Sequence, residues 1–282
     1  MPMGFPVEAF ASALAAPLRA GDIVVSTYPK CGTTWVQHVV WLLLHEGEPL
    51  PPGRSLTVDF PHLEEVGAEG IGSLPEPRCI KTHLPFAMTP WHPGARYVVV
   101  ARNPFDCAVS FFHHTRGFAR HYDFADGTFS EFFECFVAGE VDFGDYFDHL
   151  ESWIANRDEP NVLFLTYEAM KRDAEGEIAA LGRFLGGTAQ ASVERPETLS
   201  RVLEHSSFDA MRRDQERWAS RRPDEMPPFI RKGVVGDWKS SFTPEQAARL
   251  VERFDQRTGG TAAATLWPDL VAEAREFGRP RA

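Results

Sequence analysis

Asp22-Ile-Val-Val-Ser-Thr-Tyr-Pro-Lys-Cys-Gly-Thr-Thr-Trp35 is the stretch that decides the fold. An apolar, β-branched run over residues 22–26 passes through a short loop into a helical pattern that starts at Thr33, so it reads as strand, loop and helix. The loop suits an anion. Gly32 lets the backbone approach a ligand, the helix start offers unpaired N–H groups and the positive end of its dipole, and Lys30 adds a full charge. The triphosphate loop GxxxxGK[ST] places its lysine after the glycine, whereas Lys30 precedes Gly32. So short a loop suits a mononucleotide phosphate better than a triphosphate with magnesium. Taken alone, the segment also reads as a glycine turn with an incidental surface lysine.

Outward from this unit, short β-branched runs at 22–26, 78–81, 96–101 and 162–166 alternate with helical patterns at 33–45, 104–114, 129–138, 146–156, 174–185 and 244–256. That order predicts an α/β fold: a single domain over 1–282 with a central, mostly parallel sheet flanked by helices. The phenylalanines at 111, 112, 132 and 133 recur at helical spacing and read as core. Residues 214–236 are charged, proline-bearing and aperiodic, the pattern of a long functional loop.

Acidic residues outnumber basic ones, 40 to 29, for a formal net charge of −11 and a pI near 5.4. This argues against a general nucleic-acid or anionic-membrane binder, so any bound phosphate needs a local basic pocket. Cys31, Cys79, Cys107 and Cys135 show no zinc spacing and read as reduced thiols. The first twenty residues lack the signal-peptide pattern and the longest apolar run, 39–44, is far too short to span a bilayer; a soluble cytoplasmic protein is expected.

In open α/β sheets ligands sit beyond the carboxyl ends of the strands, and four expected strands end in suggestive chemistry. The first leads to Lys30 and Thr33, the second to Lys81-Thr82-His83, the third to Arg102-Asn103-Pro104 with Ser110 beyond, and the fourth to Tyr167-Glu168. Further on, Arg231, Lys232 and Gly233 again set cations beside flexible backbone. A nucleotide or shikimate-type kinase would share such a sheet but lacks its lysine signature here. A silent nucleotide-binding module would have no need of His83.

Together these segments resemble the cytosolic sulfotransferase family, which moves a sulfuryl group from 3′-phosphoadenosine-5′-phosphosulfate (PAPS) to a small acceptor. The resemblance rests on TYPKCGTTW at 27–35, KTHLP at 81–85, RNPFDCAVSFFHH at 102–114, LFLTYEAMK at 163–171, SSFDAM at 206–211 and RKGVVGDWKSSFT at 231–243. It implies that Lys30, Cys31, Gly32, Thr33, Thr34 and Trp35 meet the 5′-phosphosulfate end and adenine side of the donor. It further implies that Arg102 and Ser110 bind the 3′-phosphate, that Arg231, Lys232 and Gly233 close over it, and that Tyr167, Ser206 and Phe208 surround the nucleoside. His83 matches the base, Lys30 the group stabilising developing charge, and Lys81 and Ser110 supporting positions. Phe86, His83, His114, Phe143 and Phe229 are the expected acceptor contacts, for a largely apolar phenol, steroid, other alcohol or amine. No metal is implied, because a sulfuryl group bears less charge than a phosphoryl group, and adenosine 3′,5′-bisphosphate (PAP) is the expected product.

The departures also carry expectations. The family's dimer motif, Lys-xxx-Thr-Val-xxx-Glu, here reads Lys239-xxx-Thr243-Pro244-xxx-Ala248, which leaves a homodimer in doubt. Cys31 stands where serine is commoner. Beside Lys30 at a helix N-terminus it reads either as a reactive, oxidation-sensitive thiolate or as a buried thiol in place of serine.

Overall fold

Four strands form the sheet: β1 (Ile23–Thr27), β2 (Cys79–Thr82), β3 (Arg96–Ala101) and β4 (Val162–Thr166). All pair in parallel, in the spatial order β2-β1-β3-β4. The computed structural model describes residues 4–118, 121–214, 217–218 and 228–279. Residues 215–216 and 219–227 of the expected functional loop lie outside that set.

Alternation along the strands explains why both faces are covered. Ile23, Val25, Val98, Val100 and Leu165 share one core with Val36, Val39 and Val40 of the helix Thr33–Leu44. Val24, Ile80, Tyr97, Val99 and Val162 point the other way, into a core closed by Trp153 and Leu63. β1 and β3 are buried on both faces and have no solvent side, which is why Ile23-Val-Val25 and Val98-Val-Val100 read as continuous apolar runs. A third, aromatic core gathers Phe105, Phe111, Phe112, Phe132, Phe133 and Trp238, so the four expected core phenylalanines are core.

β1 and β2 each begin and end one residue later than expected. Asp22 and Arg78, read as their first residues, form a buried ion pair just ahead of them, Nε to Oδ1 at 2.8 Å and Nη2 to Oδ2 at 2.5 Å. The six expected helices are present, as Thr33–Leu44, Pro104–Gly117, Phe129–Ala138, Tyr146–Ile154, Ala174–Leu185 and Pro244–Thr258. Several start at caps visible in the sequence: Thr128 with Glu131 and Thr243 with Gln246 form capping boxes. The helices Val7–Ala13, Leu63–Gly72, Gly187–Glu194 and Pro196–His205 are not among those expected. The second of them carries Gly67 at φ 66°, where a Cβ would fall 2.9 Å from the Ala9 carbonyl oxygen of the first. A glycine demanded by close helix approach looks, in sequence, like a break.

From β1 the chain steps to β2 on one side, then crosses to β3 on the other. The loops after β1 and β3 therefore diverge, and the crevice between them is where an open α/β sheet receives a ligand.

Candidate active site

The loop leaving β1 departs from ordinary backbone geometry. Lys30 has φ 69° and Gly32 has φ 97°. A lysine at positive φ is strained, and strain of this kind collects where a site needs it. A Cβ on Gly32 would lie 2.9 Å from the Tyr167 ring, so that ring packs directly on the loop backbone. The helix Thr33–Leu44 follows, and the N–H groups of its first turn have no intrahelical acceptor.

β3 delivers Arg102 to the same place. Its guanidinium lies 4.5 Å over the ring of Tyr167, the first residue of the helix after β4. Two long bonds, to the Lys30 carbonyl at 3.3 Å and the Val234 carbonyl at 3.4 Å, leave Nε buried without a partner. A buried layer holds this corner. Glu168 accepts from the Asn103 N–H at 3.0 Å, its amide at 2.6 Å and the Trp267 indole at 2.7 Å. Asp106 accepts from the N–H groups of Gly236 at 2.8 Å and Trp238 at 3.0 Å, docking the 231–238 segment. There Arg231 and Lys232 both pair with Asp237 at 2.5 Å, and Gly233 at φ 62° lets the Phe208 ring reach the backbone, where a Cβ would sit 2.3 Å away.

β2 ends in the other half of the site. His83 is buried, with Nδ1 2.7 Å from the Thr27 carbonyl oxygen. A carbonyl only accepts, so Nδ1 carries the proton and Nε2 the lone pair. Burial, aided by His62 and Lys81 nearby, pushes the His83 pKa well below the usual imidazole value and keeps it neutral. Burial also lowers Lys81. Behind His83, Glu64 accepts from its backbone N–H at 2.7 Å and from the Thr82 hydroxyl at 3.0 Å. Burial alone would raise the Glu64 carboxyl; His62 and these hydrogen bonds bring it below its ordinary value.

A single cavity of about 550 Å³ joins the two halves. One end is lined by Lys30, Gly32, Thr33, Thr34, Trp35, Arg102, Ser110, Tyr167, Ser206, Phe208, Arg231, Lys232 and Gly233. The other end holds Lys81, His83, His114, Phe143 and Phe229. Lys30 stands at the junction, its Nζ 3.4 Å from His114 Nδ1 and 4.2 Å above the Phe229 ring. Volume and lining suit a small-molecule site.

Two expected contacts are corrected. Phe86 does not line the cavity; it packs on Trp91 and Trp153 at 5.2 and 5.3 Å, held in the 3₁₀ turn Phe86–Met88 behind His83. Cys31 is turned the other way as well, fully buried against the Pro29 carbonyl and the Cys107 thiol at 3.8 Å. Burial pushes its thiol well up rather than down, so the reading as a buried stand-in for serine holds and the reactive thiolate does not.

Residues 20–262 match the Sulfotransferase domain family. The chain belongs to the sulfotransferase family. It is 35% identical over 259 residues to Sulfotransferase 1C2 of Rattus norvegicus, covering 86% of this chain and 85% of that one. To Sulfotransferase 1B1 of Mus musculus it is 35% identical over 257 residues, covering 86% and 84%. Among solved structures it resembles mouse sulfotransferase SULT7A1 complexed with PAP, with a TM-score of 0.72 and 27% identity over 96% of this chain and 92% of that one. The enzyme class expected from the sequence, a PAPS-dependent sulfotransferase, is the class shown, and the kinase alternative falls away.

Other residues of this sulfotransferase's cavity were not singled out by their sequence signal. Lys171 lies 5.8 Å from the Trp35 ring and 5.9 Å from that of Phe208, at the Arg102 end. It closes the segment LFLTYEAMK and was legible there as the first cation after β4. Phe5, His62, Glu65, Tyr122 and Asp142 reach the other end from distant parts of the chain and carry no shared motif. Among the described residues no three His, Cys, Asp or Glu side chains gather into a metal-binding group, and no helix is long and apolar enough to cross a membrane.

Proposed function

We propose that this enzyme sulfates a hydroxyl or amine of a small acceptor, with His83 as the base and Lys30 balancing the charge released by transfer. The observation that carries the reading is the state of His83. It is a neutral imidazole whose Nδ1–H is committed to the Thr27 carbonyl, in the same cavity as the Lys30 ammonium.

The donor end fits PAPS on its own chemistry: a buried guanidinium nitrogen without a partner and two glycine cradles that a Cβ would fill. When bound, PAPS supplies the activated sulfuryl group. Lys30, Gly32, Thr33 and Thr34 would meet its 5′-phosphosulfate, with the N–H groups of the first helical turn as donors. Trp35, Tyr167, Ser206 and Phe208 would flank the nucleoside, and Arg102, Ser110, Arg231, Lys232 and Gly233 would hold the 3′-phosphate. At the acceptor end, Nε2 of His83 takes the proton given up as the acceptor oxygen bonds to sulfur. Lys30 and the helix start stabilise the negative charge left on the bridging oxygen as the old sulfur–oxygen bond breaks, leaving PAP. Lys81, half-buried beside His83, keeps the imidazole from protonating early.

Purified enzyme, labelled PAPS and a panel of phenols, alcohols and amines test this directly. Turnover of a panel member that disappears in His83→Ala, with PAP affinity retained by calorimetry, is the expected result. A His83→Ala enzyme that still turns over would sink the base assignment.

A further inference from the structure

His62 precedes the helix Leu63–Gly72 and bridges to Lys81 beside β2, which places its ring against that of His83. The two rings meet edge to face, centroids 4.8 Å apart at 78°. Phe5 and Phe143 pack on His62 with centroids 4.9 and 5.8 Å away. Packing alone asks for no nitrogen here, and a phenylalanine would fill the same space.

The nitrogens are nonetheless set in a definite way. His62 Nε2 lies 3.4 Å from Glu64 Oε2, and neither atom has a hydrogen-bond partner elsewhere. The other carboxylate oxygen, Oε1, is pinned by the Thr82 hydroxyl and the His83 N–H, so Glu64 stays facing the ring. An ionised carboxylate only accepts, which puts the His62 proton on Nε2 and the lone pair on Nδ1. Burial keeps this imidazole neutral. Nδ1 makes no hydrogen bond with a described residue, and His62 lines the cavity. His83 offers the counterpart: with Nδ1–H on the Thr27 carbonyl, its free lone pair is on Nε2. The acceptor end thus holds two adjoining neutral imidazoles, each with one lone pair to be satisfied.

We propose that His62 is a specificity-determining residue whose Nδ1 accepts a hydrogen bond from a second hydroxyl on the acceptor, beside the hydroxyl facing His83. The preferred acceptors are then compounds with hydroxyls on neighbouring carbons, the catechol pattern. A monohydroxy acceptor satisfies one imidazole and leaves the other dry, and a buried polar atom left without its partner lowers affinity. This rests on the reading that His83 faces the reacting hydroxyl.

Titrating catechol and phenol into the PAP-loaded protein measures the preference without requiring turnover. Wild type should bind catechol about tenfold more tightly than phenol, beyond the roughly twofold that two equivalent hydroxyls give by statistics. His62→Phe, which keeps the ring packing against Phe5 and Phe143, should abolish the excess while leaving phenol affinity within about twofold. His62→Asn, which restores an acceptor atom near Nδ1, should recover part of it. Equal affinities in wild type, no binding of either compound, a preference that survives His62→Phe, or equal losses for both ligands in both variants would each overturn the proposal. The base assignment fails separately, through an active His83→Ala enzyme whose catechol preference in binding is unaltered.

Discussion

The proposed donor end and the proposed acceptor end of the cavity are built on different principles. At the donor end backbone does the work. Lys30 and Gly32 at positive φ, Gly233 under the Phe208 ring and the start of the helix Thr33–Leu44 shape the cradle, and Glu168 and Asp106 brace it from below. At the acceptor end the shape comes from side chains that meet only on folding, Phe5, His62, His83 and Phe143, with edge-to-face contacts between 4.8 and 6.2 Å. A site made of backbone tolerates few residues at each position, and so leaves motifs. A site made of packed side chains tolerates many, and so leaves almost none.

If that division is right, perturbations at the two ends should separate cleanly. The largest effect is expected from His83→Ala, a loss of roughly 10²–10⁴-fold in kcat with PAP affinity unchanged. A fall in PAP affinity of the same size would mean that the two ends are one mechanical unit. Next, Lys30→Ala should cost about 10²–10³-fold in rate together with some donor binding, because its ammonium stands at the junction of the two halves. Equal kcat in wild type and variant would remove lysine from the chemistry.

Arg102→Lys should weaken PAPS about 10–100-fold more than it weakens adenosine 5′-phosphosulfate, which lacks the 3′-phosphate, since a point charge cannot replace a planar fork. Equal losses for the two nucleotides would make Arg102 a brace for Tyr167 and no more. The pH profile sharpens the acceptor side. With the His83 pKa held well below its ordinary value, kcat/KM should stay level as pH falls through about 6.5 and drop only at more acidic pH, when the imidazole takes a proton. A half-loss at about 6.5 would mean that the working base is solvated. The smallest effect belongs to Cys31→Ser: sensitivity to mild peroxide should match wild type, because the thiol is buried and its pKa raised. Protection in that variant would show the loop opening in solution.

The order of strand, loop and helix, the parallel sheet and most of the residues that line the Lys30–Arg102 end of the cavity were legible because each depends on a local device: an apolar run, a glycine with a cation, a capped helix start. The errors have equally local causes. Phe86 was an expected acceptor contact, but the turn at Phe86–Met88 folds it back onto Trp91 and Trp153. Cys31 sits in the anion loop by sequence, yet the positive φ of both its neighbours directs its thiol into the core beside Cys107. The helices Val7–Ala13 and Leu63–Gly72 escaped because glycine at 67 serves their close approach, a contact that no local pattern encodes.

By itself the sequence determined the reaction class, since phosphate cradles are written in contiguous residues whose backbone must take particular angles. Only the tertiary structure decided the protonation states and the acceptor wall. The lone pairs on His83 and His62 depend on a carbonyl and a carboxylate, Thr27 and Glu64, supplied by β1 and by the Leu63–Gly72 helix. Burial that keeps both imidazoles neutral is a property of the packed core, to which chain segments from Phe5 to Phe143 contribute.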